Sequence, residues 1–170
     1  MISFALAAFI FLPLLFVLYI LVRPIVNGAI YFPTKNPSVE SMKRLSRAKP
    51  GERLADLGSG DGRIIIAFAK VGLETHGYEI NSLLVILSKI AIRRAGLKGR
   101  AFVHWQSFWR IDLSGFDIIT VYGFPRIMPR LEKKLKREVK PGTRIISNIY
   151  KFGHLKPTRN EDRIYLYVKE

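Results

Sequence analysis

Hydrophobic and polar positions divide this 170-residue chain into an unbroken apolar opening and a long stretch of alternating strand-like and helix-like runs. Residues 1–22 carry no charged side chain and are interrupted only by Ser3, Pro13 and Tyr19. About 20 such residues span a bilayer as a helix, and membrane helices tolerate a proline such as Pro13. A cleaved signal peptide would need a basic start, a shorter apolar core and a small-residue cleavage site. Here no Lys or Arg precedes Arg23, and Arg23-Pro24 is no cleavage site. The pattern therefore predicts a single transmembrane anchor over residues 1–23.

Residues 24–50 read as a linker and an N-terminal cap segment, with Gly28, Pro33 and Pro37 as breakers. A short helix is expected over 38–48, capped by Ser38. From residue 51 to 170 the periodicity switches repeatedly between two and 3.6. Strands are expected at 53–57, 75–79, 100–104, 116–122, 143–150 and 163–168. Helices are expected at 61–71, 81–95 and 125–139. In the second of these, Leu83, Ile86, Leu87 and Ile90 fall at helical spacing. In the third, Leu131, Leu135 and Val139 point inward and Lys133, Lys134, Lys136 and Arg137 outward. Alternation of strand and helix, then two successive strands, predicts an α/β domain whose mostly parallel sheet ends in an antiparallel C-terminal edge strand.

Charge adds orientation. Basic residues dominate after the apolar run, so the positive-inside rule places residues 24–170 in the cytoplasm. The formal net charge of +15 suits contact with anionic lipid and equally with nucleic acid. The chain has no cysteine, which removes disulfides and thiolate zinc sites. No cluster of metal ligands stands out.

The candidate chemistry lies where the first strand of the domain runs into Asp56-Leu57-Gly58-Ser59-Gly60-Asp61-Gly62. A dinucleotide fingerprint would need a glycine at position 63, which is Arg63, and no Gly-Lys-Ser/Thr follows to make a P-loop. The pattern is D-x-G-x-G-x-G, in which glycines let backbone approach a ligand closely. Asp56 at the strand end suits a cationic ligand better than a pyrophosphate. S-adenosyl-L-methionine, with an ammonium, a sulfonium and no phosphate, fits. Glu79, the acid closing the second strand, can accept both ribose hydroxyls.

These residues resemble the class I S-adenosylmethionine-dependent methyltransferases, with their Rossmann-like sheet. A closer similarity is carried by Tyr31-Phe32-Pro33-Thr34, the segment 56–64, Gly77–Asn81, Leu131–Leu135, Lys140–Arg144 and Tyr165–Val168. Together these blocks resemble the archaeal protein lysine methyltransferases and the mitochondrial enzymes acting on lysines of the ATP synthase c-ring protein and the adenine nucleotide translocase. The resemblance implies cofactor contacts from Asp56, Gly58, Ser59, Gly60, Gly62 and Glu79. It adds adenine contacts around Ser107 and Phe108, and a cover formed by Tyr31 and Thr34. Thr120 and Tyr122 fall where the fold presents residues to the methyl group, and Tyr122 is expected to border the acceptor amine. The (Asp/Asn)-Pro-Pro-(Tyr/Phe) block of exocyclic base methylation is missing from Thr120–Pro125.

No general base is evident: His76, His104 and His154 read as structural, and Asp112 and Asp117 as turn acids. The domain has no long insert to enclose a small substrate, which favours a macromolecular acceptor. The expected activity is protein-lysine N-methylation at a membrane, with lipid contacted through the N-terminal helix and the basic surface. RNA methylation, lipid-amine methylation and non-catalytic cofactor binding are the alternatives.

Overall fold

The computed structural model describes Phe9, residues 11–16, Tyr19 and residues 32–170. Among the described residues no helix is long and apolar enough to cross a membrane. The anchor expected over residues 1–23 lies largely outside them, and so does Tyr31. The chain divides into two compact units, Met1–Phe32 and Pro33–Glu170.

The second unit runs α1 (Asn36–Ser46), β1 (Arg53–Leu57), α2 (Arg63–Lys70), β2 (Glu74–Glu79), α3 (Ser82–Arg94), β3 (Ala101–Trp105), β4 (Ile118–Val121), α4 (Met128–Glu138), β5 (Arg144–Asn148), β6 (Arg159–Glu161) and β7 (Ile164–Val168). The strands form one sheet in the order β3-β2-β1-β4-β5-β7-β6. Strands β1 to β5 pair in parallel, and β7 runs antiparallel to both β5 and β6.

Side-chain alternation explains why both sheet faces are covered. Leu54, Ile118, Ile146, Ile164 and Leu166 join one core with Val39, Met42, Ile65, Phe68, Val85 and Ile92 of α1, α2 and α3. Their neighbours Ala55, Leu57, Ile119, Val121, Ile145 and Tyr167 join the opposite core with Met128, Leu131 and Leu135 of α4. A strand has period two, so each strand feeds both cores in turn. Between β3 and β4 the chain makes only a short 3-10 turn, Phe108–Arg110.

Four expectations need correction. Helix α1 begins two residues early: Lys35 is its cap without a side-chain bond, and Pro37 sits in the first turn. Proline lacks an N–H, and the first helical turn does not need one, so Pro37 starts the helix and Ser38 caps nothing. The polar stretch before β7 holds the short strand β6, which forms that edge of the sheet. Its hairpin turns through Asp162 and Arg163, both at positive φ (46° and 65°), the conformation of a two-residue hairpin turn. Lys134 is buried rather than outward: its ammonium donates to the Ile111 carbonyl (2.7 Å) and pairs with Glu138. Finally, Leu83, Ile86, Leu87 and Ile90 of α3 are exposed, while Leu84, Val85, Ser88 and Ile92 form its buried face.

The histidines and the turn acids have structural partners. His76 Nδ1 lies 3.1 Å from His104 Nε2, and the rings stack. His154 Nδ1 lies 3.6 Å from Glu132 Oε1. Asp112 caps the Ser114 turn, and Asp117 accepts the Arg53 amide and pairs with Lys140.

Candidate active site

The loop after β1 is shaped by its glycines. Gly58, Gly60 and Gly62 have φ values of 85°, 55° and 83°, a region that costs other residues energy. At Gly62 a Cβ would fall 2.1 Å from Ser88 Oγ, so the start of α2 rests directly on α3. The amides of Gly58 and Ser59 both donate to the Tyr78 carbonyl, which ties the loop to the end of β2. The Ser59 side chain is buried beneath the loop against Gly77, where a Cβ would come within 2.5 Å of its hydroxyl. Only the backbone of Ser59 is left to meet a ligand.

Two carboxylates flank this loop. Asp56 is 1% exposed. Its Oδ1 accepts the Thr120 hydroxyl (2.7 Å), and its Oδ2 is buried with no hydrogen-bond partner. Burial raises its pKa to about 7; the Thr120 bond opposes this, and the nearby Glu79 and Asp61 charges add to it. A buried, half-satisfied carboxylate favours a cationic or hydrogen-bond-donating neighbour, which fits the ammonium end of S-adenosyl-L-methionine. Glu79 is buried as well but well supplied. Its Oε2 accepts the Gly60 amide (3.0 Å), and its Oε1 accepts the amides of Ile80 and Asn81 (2.8 Å each). A carboxylate offers about four acceptor positions, so accepting both ribose hydroxyls requires the Gly60 contact to give way.

Thr120 is fully buried, and its hydroxyl is spent on Asp56. It holds that carboxylate from below instead of facing an acceptor. Tyr122 is only partly buried. It meets Phe124 edge to face (ring centroids 5.7 Å) and Tyr150 likewise (6.3 Å), and Phe124 also meets Tyr150. Burial, and then Tyr150, raise the Tyr122 pKa above the ordinary phenol value. Its hydroxyl is therefore neutral near pH 7 and no general base. Ser107 precedes the 3-10 turn, and Phe108 packs on Trp109 at 4.8 Å.

Sequence reasoning missed two ties. Arg63 forms a two-point ion pair with Asp61 and donates to the Thr34 carbonyl at 2.8 Å. Asn148, at the end of β5, donates to the Thr34 hydroxyl at 3.3 Å. Thr34 is buried by these contacts, so residues 33–35 are fixed to the loop and the sheet end together. Arg63 was visible as the residue that breaks the dinucleotide pattern; for Asn148 the sequence carries no signal.

The ANTKMT methyltransferase domain matches residues 56–159. The chain belongs to this family. Among relatives of the ANTKMT methyltransferase domain, the lysine N-methyltransferase of Mus musculus that acts on the ATP synthase c-ring protein is 35% identical over 84% of this chain and 60% of that enzyme. The protein-lysine N-methyltransferase of Saccharolobus islandicus is 32% identical over 81% of this chain and 92% of that protein. The adenine nucleotide translocase lysine N-methyltransferase of Mus musculus is 34% identical over 76% and 58%. The chain thus spans about 60% of the first of these mouse enzymes. Among solved structures, an RNA methyltransferase from Salinibacter ruber in complex with S-adenosyl-L-homocysteine superposes with a TM-score of 0.78. It is 30% identical and covers 81% of this chain and 93% of that one. S-adenosyl-L-methionine is accordingly the cofactor of the ANTKMT methyltransferase domain family, in agreement with the loop chemistry above.

Proposed function

We propose that the protein is a protein-lysine N-methyltransferase acting on a membrane or membrane-associated protein. The reading is carried by the family match over residues 56–159 together with lysine methyltransferases among the relatives at 32–35% identity. In this reading Gly58, Gly60 and Gly62 present backbone to the cofactor, and Glu79 holds its ribose. Asp56 lies beneath its cationic end, Ser107 and Phe108 border the adenine, and Thr34 closes the segment over it.

When bound, the cofactor supplies an electrophilic methyl carbon on a sulfonium. The chain contributes alignment of an acceptor amine for in-line attack. A lysine must arrive neutral, against a reference pKa of about 10.4, and an apolar entrance lowers that value. Tyr122, Phe124 and Tyr150 form such an entrance beside the ends of β4 and β5. Aromatic faces also attract ammonium groups, which suits an amine that is charged before and after transfer.

The apolar run 1–22 and the basic residues after it support a single-pass anchor with the methyltransferase domain in the cytoplasm. A second reading, RNA methylation, is favoured by the net charge of +15 and by the Salinibacter neighbour. Incubation with methyl-labelled cofactor and separate membrane, cytosolic and RNA fractions distinguishes the two. Label in membrane protein, recovered as methyllysine after acid hydrolysis, is expected. Label confined to RNA would replace the lysine reading.

A further inference from the structure

Helix α3 is apolar on two opposite faces. One face, Leu84, Val85 and Ile92, is core. The other, Leu83, Ile86, Leu87 and Ile90, is 44–54% exposed. At 100° per residue this outer stripe lies almost diametrically opposite the buried one, so no tilt of the helix can bury both. The stripe continues past the helix start to Ile80, and Trp105 at the end of β3 joins it there. The Trp105 indole donates to the Ile80 carbonyl at 2.9 Å while 71% of the residue stays exposed. A contiguous apolar ridge of this kind marks a contact surface on a folded domain.

The surrounding charge is of one sign. From Ile80 to Ile111 the chain holds Lys89, Arg93, Arg94, Lys98, Arg100 and Arg110 and no Asp or Glu. Lys89, Arg93 and Arg94 flank or extend the apolar stripe on α3, and all three are exposed. Two copies meeting through this face would bring like charges together. Nucleic acid would satisfy the basic side chains but leave four large aliphatic side chains and a tryptophan without a partner. An anionic bilayer surface matches both features: apolar side chains enter the acyl boundary, Trp105 sits at headgroup depth, and the Lys and Arg side chains meet the phosphates.

We infer that the outer face of α3, extended by Ile80 and Trp105, is a docking surface for anionic lipid. It extends the membrane part of the function proposed above without resting on methyl transfer. Ile80 directly follows Glu79, so docking through this face would bring the rim of the cofactor site toward the headgroups.

The chain has no cysteine, so a single environment-sensitive fluorophore can be placed at Ile86→Cys or, as control, at Lys133→Cys on the exposed side of α4. The full chain is reconstituted in phosphatidylcholine vesicles containing a nitroxide-labelled lipid quencher, with and without about 30% phosphatidylserine. Quenching at position 86 should exceed that at position 133 by about threefold or more, and only with phosphatidylserine. Adding Arg93→Glu and Arg94→Glu, or Leu83→Ser and Leu87→Ser, should bring position 86 down to the control level with an unchanged circular dichroism spectrum. Equal quenching at both positions, or quenching indifferent to phosphatidylserine, would overturn the proposal. So would a label at 86 shielded without lipid in a particle of doubled mass, which would assign the face to a second copy. Methyl transfer measured on the same preparations reports on the enzymatic reading separately.

Discussion

The ends of β1 and β2 each carry a buried carboxylate beside the same glycine loop, and the two are built in opposite ways. Glu79 accepts three backbone amides and stitches the loop to the first turn of α3. Asp56 has one hydroxyl partner and one buried oxygen without any. Burial costs a carboxylate dearly unless donors replace water. Glu79 is thus an architectural acid, whereas Asp56 stores an unmet electrostatic demand at the place where a cation is needed.

The sharpest way to test this difference is pH. The pKa of Asp56 is raised from 3.8 to about 7 in the folded protein, so folding favours its protonated form. Its contribution to stability is fully present below about pH 4 and is lost as pH rises through about 7. The shift bounds that loss at roughly 4 kcal/mol. Denaturant melts of wild type and Asp56→Asn across pH 4–8 should diverge toward high pH, with the variant the more stable at pH 8. Parallel curves would show that Asp56 carries no such strain. Cofactor binding should also expel the Asp56 proton, releasing about half a proton at pH 7; calorimetry in buffers of different ionisation enthalpy reads this directly.

Glu79→Ala should act in the opposite sense at every pH. Three buried amides lose their acceptor, which costs about 3 kcal/mol or more, and cofactor affinity should fall by about a hundredfold. Unchanged affinity by calorimetry would remove Glu79 from the site. Thr120→Val sits between the two, since it withdraws the only partner of Asp56. A loss of about 1–2 kcal/mol at pH 8 is expected, with the pH midpoint of the stability curve moved upward. The smallest effect belongs to Arg63→Lys, which keeps the charge but not the two-point geometry. About 1 kcal/mol of stability should go, and cofactor dissociation should quicken as residues 33–35 loosen. Stopped-flow measurement would expose an unchanged rate.

How far the sequence foretold the molecule depends on which physical signal each residue carries. The parallel sheet and the glycine loop were legible because both rest on local rules: period-two apolar runs, and glycines where backbone must turn sharply. The burial of Lys134 was not, since a lysine on a charged helix face reads as solvated. It becomes buried through the Ile111 carbonyl, which the fold brings in from 23 residues away. The outer face of α3 defeated pattern reading for a related reason. Periodicity identifies a helix but cannot say which of two apolar faces meets the sheet. Asn148 and Thr34 are 114 residues apart, a contact that nothing local encodes. Residue type alone placed Thr120 and Tyr122 side by side as candidates, yet strand alternation separates them, one fully buried under Asp56 and the other in an aromatic cluster.

The hairpin of β6 and β7 has a consequence for how the chain is made. Glu161 receives hydrogen bonds from Ser41 and Arg44 of α1, and the Arg144 guanidinium donates to the carbonyls of Ser46 and Arg47 at the end of that helix. An early-synthesised element therefore finds its seat only after the last strands leave the ribosome. Such distant pairings are closed late and slowly. The segment that leads over the glycine loop is continuous with α1, so a finished site is the final product of folding. A chain cut short before β6 would carry every glycine and both acids, and still lack the fastening that holds the entrance to the site in place.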